Sequence, residues 1–292
     1  MSCTLTTVKI LMTILIALTF HHPGRDVFLG RTMNGNVNDT MFAEERKLKI
    51  IDLLNQNKKV TVAELVRLFN VSSATIRSDL RELNERGRLI RTHGGAIIEI
   101  GAGFEQDTEQ KRDLNLAAKQ QIAQLAIDLI NDGDTIIFDT GTTTVELAKL
   151  LNQRRRIKAV TNDFEIARVL EDMNSISVVM LGGEIRKNFH CTVGAAGIEM
   201  LAQLTVDKAF MGTNSLSIAK GASTPNIQQA EIKKAMIASA QKVILMCSNR
   251  KLGRDSFAHF ASLDQIDALV IEKIDVNEKV EFEERGVEVL TS

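Results

Sequence analysis

The sequence predicts an α/β protein in two parts: a small N-terminal module of three helices and a short β-hairpin, then a larger domain of parallel strands covered by helices. Three observations predict this. Between residues 42 and 86, apolar residues recur at helical spacing in three separate runs. Beyond residue 134, short apolar runs alternate with helical patterns, as expected for a parallel sheet covered on both faces. Charge is also divided between the parts. Residues 42–98 hold 11 Lys/Arg and 7 Asp/Glu, a net +4, whereas residues 99–292 hold 22 and 28, a net −6. A basic module joined to an acidic one is the asymmetry expected when only one part meets a polyanion.

The 292 residues are 44% hydrophobic and 25% charged, enough to bury a core without staples. Trp and Tyr are absent, so burial falls to aliphatic side chains, Met and Phe. Cys3, Cys191 and Cys247 stand far apart with no CxxC pair. Neither a disulfide framework nor a zinc site is indicated, and no metal is expected. This cysteine usage fits a reducing cytoplasm.

Residues 1–41 fit three readings. Residues 8–20 are apolar apart from Lys9 and two Thr, too short for a span of roughly 20 apolar residues. They have the length of a signal-peptide core, but the flank before them is nearly uncharged and no clear cleavage site follows. The segment is an over-extended start with Met33 or Met41 the true beginning, a disordered tail, or an export signal or anchor.

Residues 42–55 read as the first helix, with Ile50 and Leu54 in its stripe. Thr61 followed by Glu64 has the spacing of a capping box and opens a second helix carrying Leu65, Val66 and Phe69 inward. Asn70 and Val71 turn the chain. Ser72 then caps a third helix to about residue 86, with Ile76, Leu80 and Leu83 as its buried stripe. Its other face carries Ser73, Thr75, Arg77, Ser78 and Arg81. Short hydroxyl side chains let a helix approach DNA closely, and Arg grips guanine edges or phosphate. Residues 89–91 and 96–98 read as two strands joined by a Gly-Gly turn, a wing that places Arg91 and His93 beside the third helix. The combination predicts a winged helix-turn-helix over residues 42–98 that binds double-stranded DNA.

Residues 71–80, Val-Ser-Ser-Ala-Thr-Ile-Arg-Ser-Asp-Leu, resemble the recognition-helix signature of the DeoR family of bacterial regulators. Leu83, Gly87, Leu89, Arg91, His93, Gly94, Gly95 and Ala96 match its continuation into the wing, and Arg46, Ile50 and Leu54 its first helix. Ser78 departs from the resemblance, which has Arg or Lys there.

Residues 99–113 read as a linker, and 114–292 as the α/β domain. Residues 114–130 read as one long helix. Residues 135–138 form a strand, 145–151 a helix, 157–160 a strand, 164–170 a helix and 176–181 a strand, with later strands at 208–211, 242–246 and 268–271. In such sheets ligands bind beyond the carboxyl ends of the strands. The run from Asp139 through Gly141, Thr142 and Thr143 to Thr144 opens a helix. Gly, hydroxyls and first-turn amides make an anion cradle. Thr161-Asn162, Gly182-Gly183, Gly212-Thr213 and the turn containing Lys251 follow other strands, so the loops converge on a small anionic ligand. No GxxxxGK[ST] or GxGxxG is present, and no cofactor is expected.

The same loops, with Thr224-Pro225-Asn226, Glu231, Lys234 and Lys251-Leu252-Gly253, resemble the DeoR-family effector domain, itself similar to ribose-5-phosphate isomerase. The resemblance implies a phosphorylated sugar as effector, with Gly141, Thr142 and Thr143 on the phosphate and Thr161, Asn162, Lys234 and Lys251 completing the pocket. It also implies dimers or tetramers and repression of a carbohydrate-metabolism operon, with no membrane partner. Ser248 departs from it, standing where a carboxylate is common. The rival is a sugar-phosphate isomerase with a DNA-binding arm, using Asp139, Glu231 and Lys251. Asp139 and Glu231 are equally explained as a loop cap and a partner of Lys234, so no catalytic residue and no enzyme is expected.

Overall fold

The computed structural model describes residues 42–85, 88–97, 103 and 105–292; the readings of residues 1–41 fall outside the described residues. Three helices and three strands form the N-terminal module: α1 (Ala43–Asn57), β1 (Lys59–Thr61), α2 (Val62–Phe69), α3 (Ser73–Glu85), β2 (Ile90–Thr92) and β3 (Gly95–Ile97). Thr61 caps α2 with both bonds of the capping box: its hydroxyl accepts from the Glu64 amide, and the Glu64 carboxylate accepts from the Thr61 amide. Ile50, Leu54, Leu65, Ile76, Leu80 and Leu83 pack as the core. The strands form one antiparallel sheet in the order β1-β3-β2. A Cβ on Gly95 would stand 1.9 Å from the Val60 carbonyl oxygen, so the Gly lets β3 lie against β1.

The expected linker and the expected long helix both need correction. Residues 108–112 form a short helix, α4 (Thr108–Arg112), and Glu105 before it is buried against the larger domain. Asn115 takes the left-handed conformation at φ +54°, so the next helix, α5 (Leu116–Ile127), starts separately. The main sheet then builds outward in both directions. β4 (Thr135–Phe138), α6 (Thr142–Lys149), β5 (Ile157–Thr161), α7 (Phe164–Glu171) and β6 (Ile176–Met180) make one wing. A hairpin of β7 (Glu184–Arg186) and β8 (Cys191–Val193), then α8 (Ala195–Leu201), leads back to β9 (Val206–Gly212). β10 (Ser215–Ser217), β11 (Gly221–Thr224), α9 (Ile227–Ala238), β12 (Ala240–Met246), β13 (Ala258–Ala261), β14 (Ala268–Val270), α10 (Val276–Glu283) and β15 (Glu288–Leu290) complete the chain.

Seven strands pair in parallel in the order β15-β14-β12-β9-β4-β5-β6. Apolar clusters cover both faces, and Phe138 and Phe210 stack on adjacent strands with ring centroids 5.9 Å apart. The strand order reverses between β4 and β9, so the carboxyl ends of these two strands flank an open crevice. Beside it, β10, β11 and β13 form a small antiparallel sheet. Among the described residues, no helix is long and apolar enough to cross a membrane.

Candidate functional site

The structure forms two candidate surfaces. The first is the outer face of α3. Ser72, Ser73, Arg77, Ser78 and Arg81 are exposed and Thr75 is half-buried, whereas Ile76, Leu80 and Leu83 are buried behind them. The Ser72 hydroxyl accepts from the Thr75 amide at 3.1 Å and shares a hydrogen bond with the Thr75 hydroxyl at 2.8 Å, which caps the helix. His93 is exposed in the β2–β3 turn. Arg91 sits half-buried on β2, its amide donating to Asn84 Oδ1 at 3.2 Å. All eight predicted residues therefore belong to one module, six at the start and outer face of α3 and two on the wing.

Sequence reasoning missed what aims this face. Asp79 points inward and accepts from Arg46 Nε at 2.6 Å and Nη2 at 3.1 Å, a two-pronged pair whose side chains are 8% and 6% exposed. Lys47 pairs with Glu82 beside it. Burying either charge alone is costly, so the pair ties α3 to α1 at a defined rotation. The signal was a carboxylate in phase with the Ile76, Leu80, Leu83 stripe.

The second surface is a cavity of about 430 Å³ at the crevice between β4 and β9. Gly141, Thr142, Thr143, Gly212 and Lys251 line it as predicted, and the amino end of α6 borders it. Lys251 Nζ donates to the Thr213 carbonyl at 2.6 Å. Asp139 lies fully buried behind the wall. It accepts from the Gly212 amide at 2.8 Å and pairs with Lys233, whose Nζ also donates to the Gly212 carbonyl at 2.9 Å. Burial pushes the Asp139 carboxyl up, and Lys233 opposes that push.

Besides Asp139, five predicted residues are not brought to the cavity wall. Thr161 and Asn162 are fully buried, donating to the Phe138 carbonyl at 2.8 Å and the Thr192 carbonyl at 2.7 Å; they brace the sheet edge. Gly183 serves close packing, since a Cβ there would stand 2.3 Å from the Val193 carbonyl oxygen, and the Gly182 carbonyl lies against Gly197. Lys234 is 51% exposed and pairs with Glu231 at 2.8 Å on the outer face of α9. The neighbouring Lys233 is the one that lines the cavity. It was legible as the position four after Gln229, in phase with the buried Met236 and Ile237.

The cavity is strongly positive. Among the described residues, eight Lys or Arg side chains line it with one lining carboxylate, Glu105, and Asp139 is paired with Lys233 behind the wall. Burial lowers the pKa of Lys251, and burial with the nearby Lys251 charge lowers Lys119 to about 8. Burial alone would raise Glu105, but Lys111 and Arg186 outweigh it and hold the carboxyl at about 2. The N-terminal module contributes wall as well, through Asn84, Arg88, Leu89 and Ile90. Arg250, next to Lys251, donates to the Asn84 carbonyl in the last turn of α3.

Residues 46–99 match the family model described as the DeoR-like helix-turn-helix domain, and residues 114–273 the one described as the DeoR C terminal sensor domain. The chain is 37% identical over 251 residues to the HTH-type transcriptional regulator GlpR of Haloferax volcanii, covering 86% of this chain and 98% of that one. It is 34% identical over 253 residues to the HTH-type transcriptional repressor GlcR of Bacillus subtilis, covering 86% and 97%. Among solved structures it is similar to ribose 5-phosphate isomerase A of Methanocaldococcus jannaschii, with a TM-score of 0.35, 19% identity, and coverage of 46% of this chain and 53% of that one.

Proposed function

The chain belongs to the DeoR family of transcriptional regulators, and on that premise we propose that it represses a carbohydrate-metabolism operon under the control of a phosphorylated sugar bound in the cavity. The α3 helix enters the major groove, with Ser72, Ser73, Thr75, Arg77, Ser78 and Arg81 on the DNA, and Arg91 and His93 of the wing run alongside. Two or more copies in the cytoplasm read successive half-sites as a dimer or tetramer.

The observation that supports the effector most directly is the set of Lys and Arg side chains, eight among the described residues, that line the cavity at the point where the strand order reverses. Such a site favours a compact polyanion with hydroxyl groups. Thr142, Thr143 and the first-turn amides of α6 meet its phosphate, and Lys251 and Lys233 complete the charge. The isomerase reading lacks a carboxylate base. Asp139 is locked against Lys233, Glu231 points outward, and Glu105, held at about 2, is too weakly basic to take a proton from carbon.

The test is a mobility-shift titration of the full chain on its own upstream DNA, repeated with a panel of sugar phosphates. Salt-sensitive binding released by one compound, with Lys251→Ala still binding DNA but deaf to that compound, is the expected result. Absence of DNA binding, with turnover of one sugar phosphate, would overturn it.

A further inference from the structure

The carboxylate that lines the cavity does not come from the sheet that builds the cavity. Glu105 lies in the segment that follows the DNA-binding module, and it is held by three groups of the larger domain and of α4. Its Oε1 accepts from Lys111 Nζ at 2.8 Å and from Asn214 Nδ2 at 3.2 Å, and its Oε2 accepts from Arg186 Nη2 at 2.6 Å. The side chain is 9% exposed. Arg186 is in turn laid flat on the Phe189 ring at 3.6 Å, with Lys111 at 5.6 Å from the same ring. This is a preformed cradle for an oxyanion: one planar guanidinium, one ammonium and one amide donor over an aromatic floor.

We propose that the Lys111–Arg186–Asn214 cradle is a second anion subsite of the effector cavity, and that Glu105 is its built-in occupant, displaced when an anionic group of the ligand enters. The proposal rests on the reading of the cavity as an effector site and adds where the ligand must compete. A carboxylate carries one negative charge and a phosphate monoester nearly two at neutral pH, with three acceptor oxygens, so the exchange favours the phosphate. The competition has a cost. A ligand that must first expel Glu105 shows an apparent affinity reduced by the fraction of molecules in which the cradle is already open. The expelled residue follows the DNA-binding module in the chain, so occupancy of the subsite and the placement of that segment are alternatives. Ligand and segment are then coupled by reciprocal exclusion.

Inorganic phosphate binding to the full chain, measured by titration calorimetry, tests this with four proteins: the native chain, Glu105→Gln, Glu105→Gln with Arg186→Gln, and Lys251→Ala. Removing the competitor's charge should tighten phosphate binding by about tenfold or more, and removing Arg186 as well should erase the gain. A thermal melt by circular dichroism confirms folding, and in a fifth protein Glu105→Asp, with a side chain one methylene shorter, should tighten binding in the same direction. Unchanged or weaker phosphate binding in folded Glu105→Gln overturns the proposal. If Lys251→Ala alone then loses phosphate, the effector cavity stands without the internal competitor. If none of the four proteins binds phosphate, both readings fall.

Discussion

Neutralising Asp79 is the most direct probe of how α3 is held. In Asp79→Asn the side chain keeps its shape and loses its charge, so the Arg46 guanidinium, 8% exposed, loses the Asp79 charge that faces it. At about 4 Å and an effective dielectric of about 20, such a pair attracts by roughly 4 kcal/mol. Breaking a buried pair from one side costs about 3–5 kcal/mol, because the remaining charge stays desolvated. A domain's whole stability is about 5–15 kcal/mol, so the module's small core around Ile50, Leu54 and Ile76 cannot absorb that loss easily. The chain has no Trp or Tyr, so intrinsic fluorescence is a poor reporter and hydrogen exchange of the α3 amides is the better assay. A loss of about 3 kcal/mol in opening free energy speeds exchange on the order of a hundredfold. Arg46→Met combined with Asp79→Leu, which replaces the pair with apolar contact, should recover most of it. Exchange in Asp79→Asn within about threefold of the native chain, with unchanged DNA affinity, would refute the reasoning, because the pair would then contribute nothing to the placement of α3.

Other outcomes follow from the same geometry. Arg77→Ala and Arg81→Ala should each weaken specific DNA binding by about 1–3 kcal/mol in a mobility-shift titration, while leaving the melt of the chain unchanged; native affinity in both variants would remove α3 from the interface. Gly95→Ala forces a methyl group against the Val60 carbonyl, so the wing should lose protection in hydrogen exchange and DNA binding should fail, with the α/β domain intact. Lys119, held at about 8, is charged below that pH and loses its proton as pH rises through it. Sulfate, whose own charge is constant in this range, should therefore bind roughly tenfold more weakly at pH 9 than at pH 7, following the charged fraction of the lysine. A flat calorimetric affinity across that window would exclude Lys119 from the anion site.

The local elements were the most legible in the sequence. The α2 capping box needs only residues three apart, and the β4 strand only its own apolar run, and both stand where the pattern placed them. The small strands β10, β11 and β13 escaped because each is three or four residues long and β11 finds β13 only across a stretch of chain that contains α9 and β12, Ala222 opposite Ala261. The start of α5 escaped because the left-handed Asn115 leaves no mark on apolar spacing. In the candidate site, the loop glycines and threonines were visible as turn chemistry. Lys234 came from the family resemblance, whereas the Glu231–Lys234 spacing already fitted an exposed helix pair, which the structure contains on the outer face. Glu105 was read as linker because its burial depends on Arg186 and Asn214, far along the chain, and no local pattern announces partners at that distance.

Asn84 accepts from two directions. Its side-chain oxygen takes the Arg91 amide of the wing, and its backbone carbonyl takes Arg250 from the short turn Asn249–Lys251. One residue at the foot of α3 thus clasps helix and wing together and is itself gripped by the neighbour of the lysine that faces the cavity. That lysine and the clasp are one peptide bond apart, so a displacement of Lys251 by a bound ligand would reach Asn84 without passing through the sheet. Substitutions on the exposed outer face of α3 leave this clasp untouched, whereas its last turn is already committed to both the wing and the larger domain.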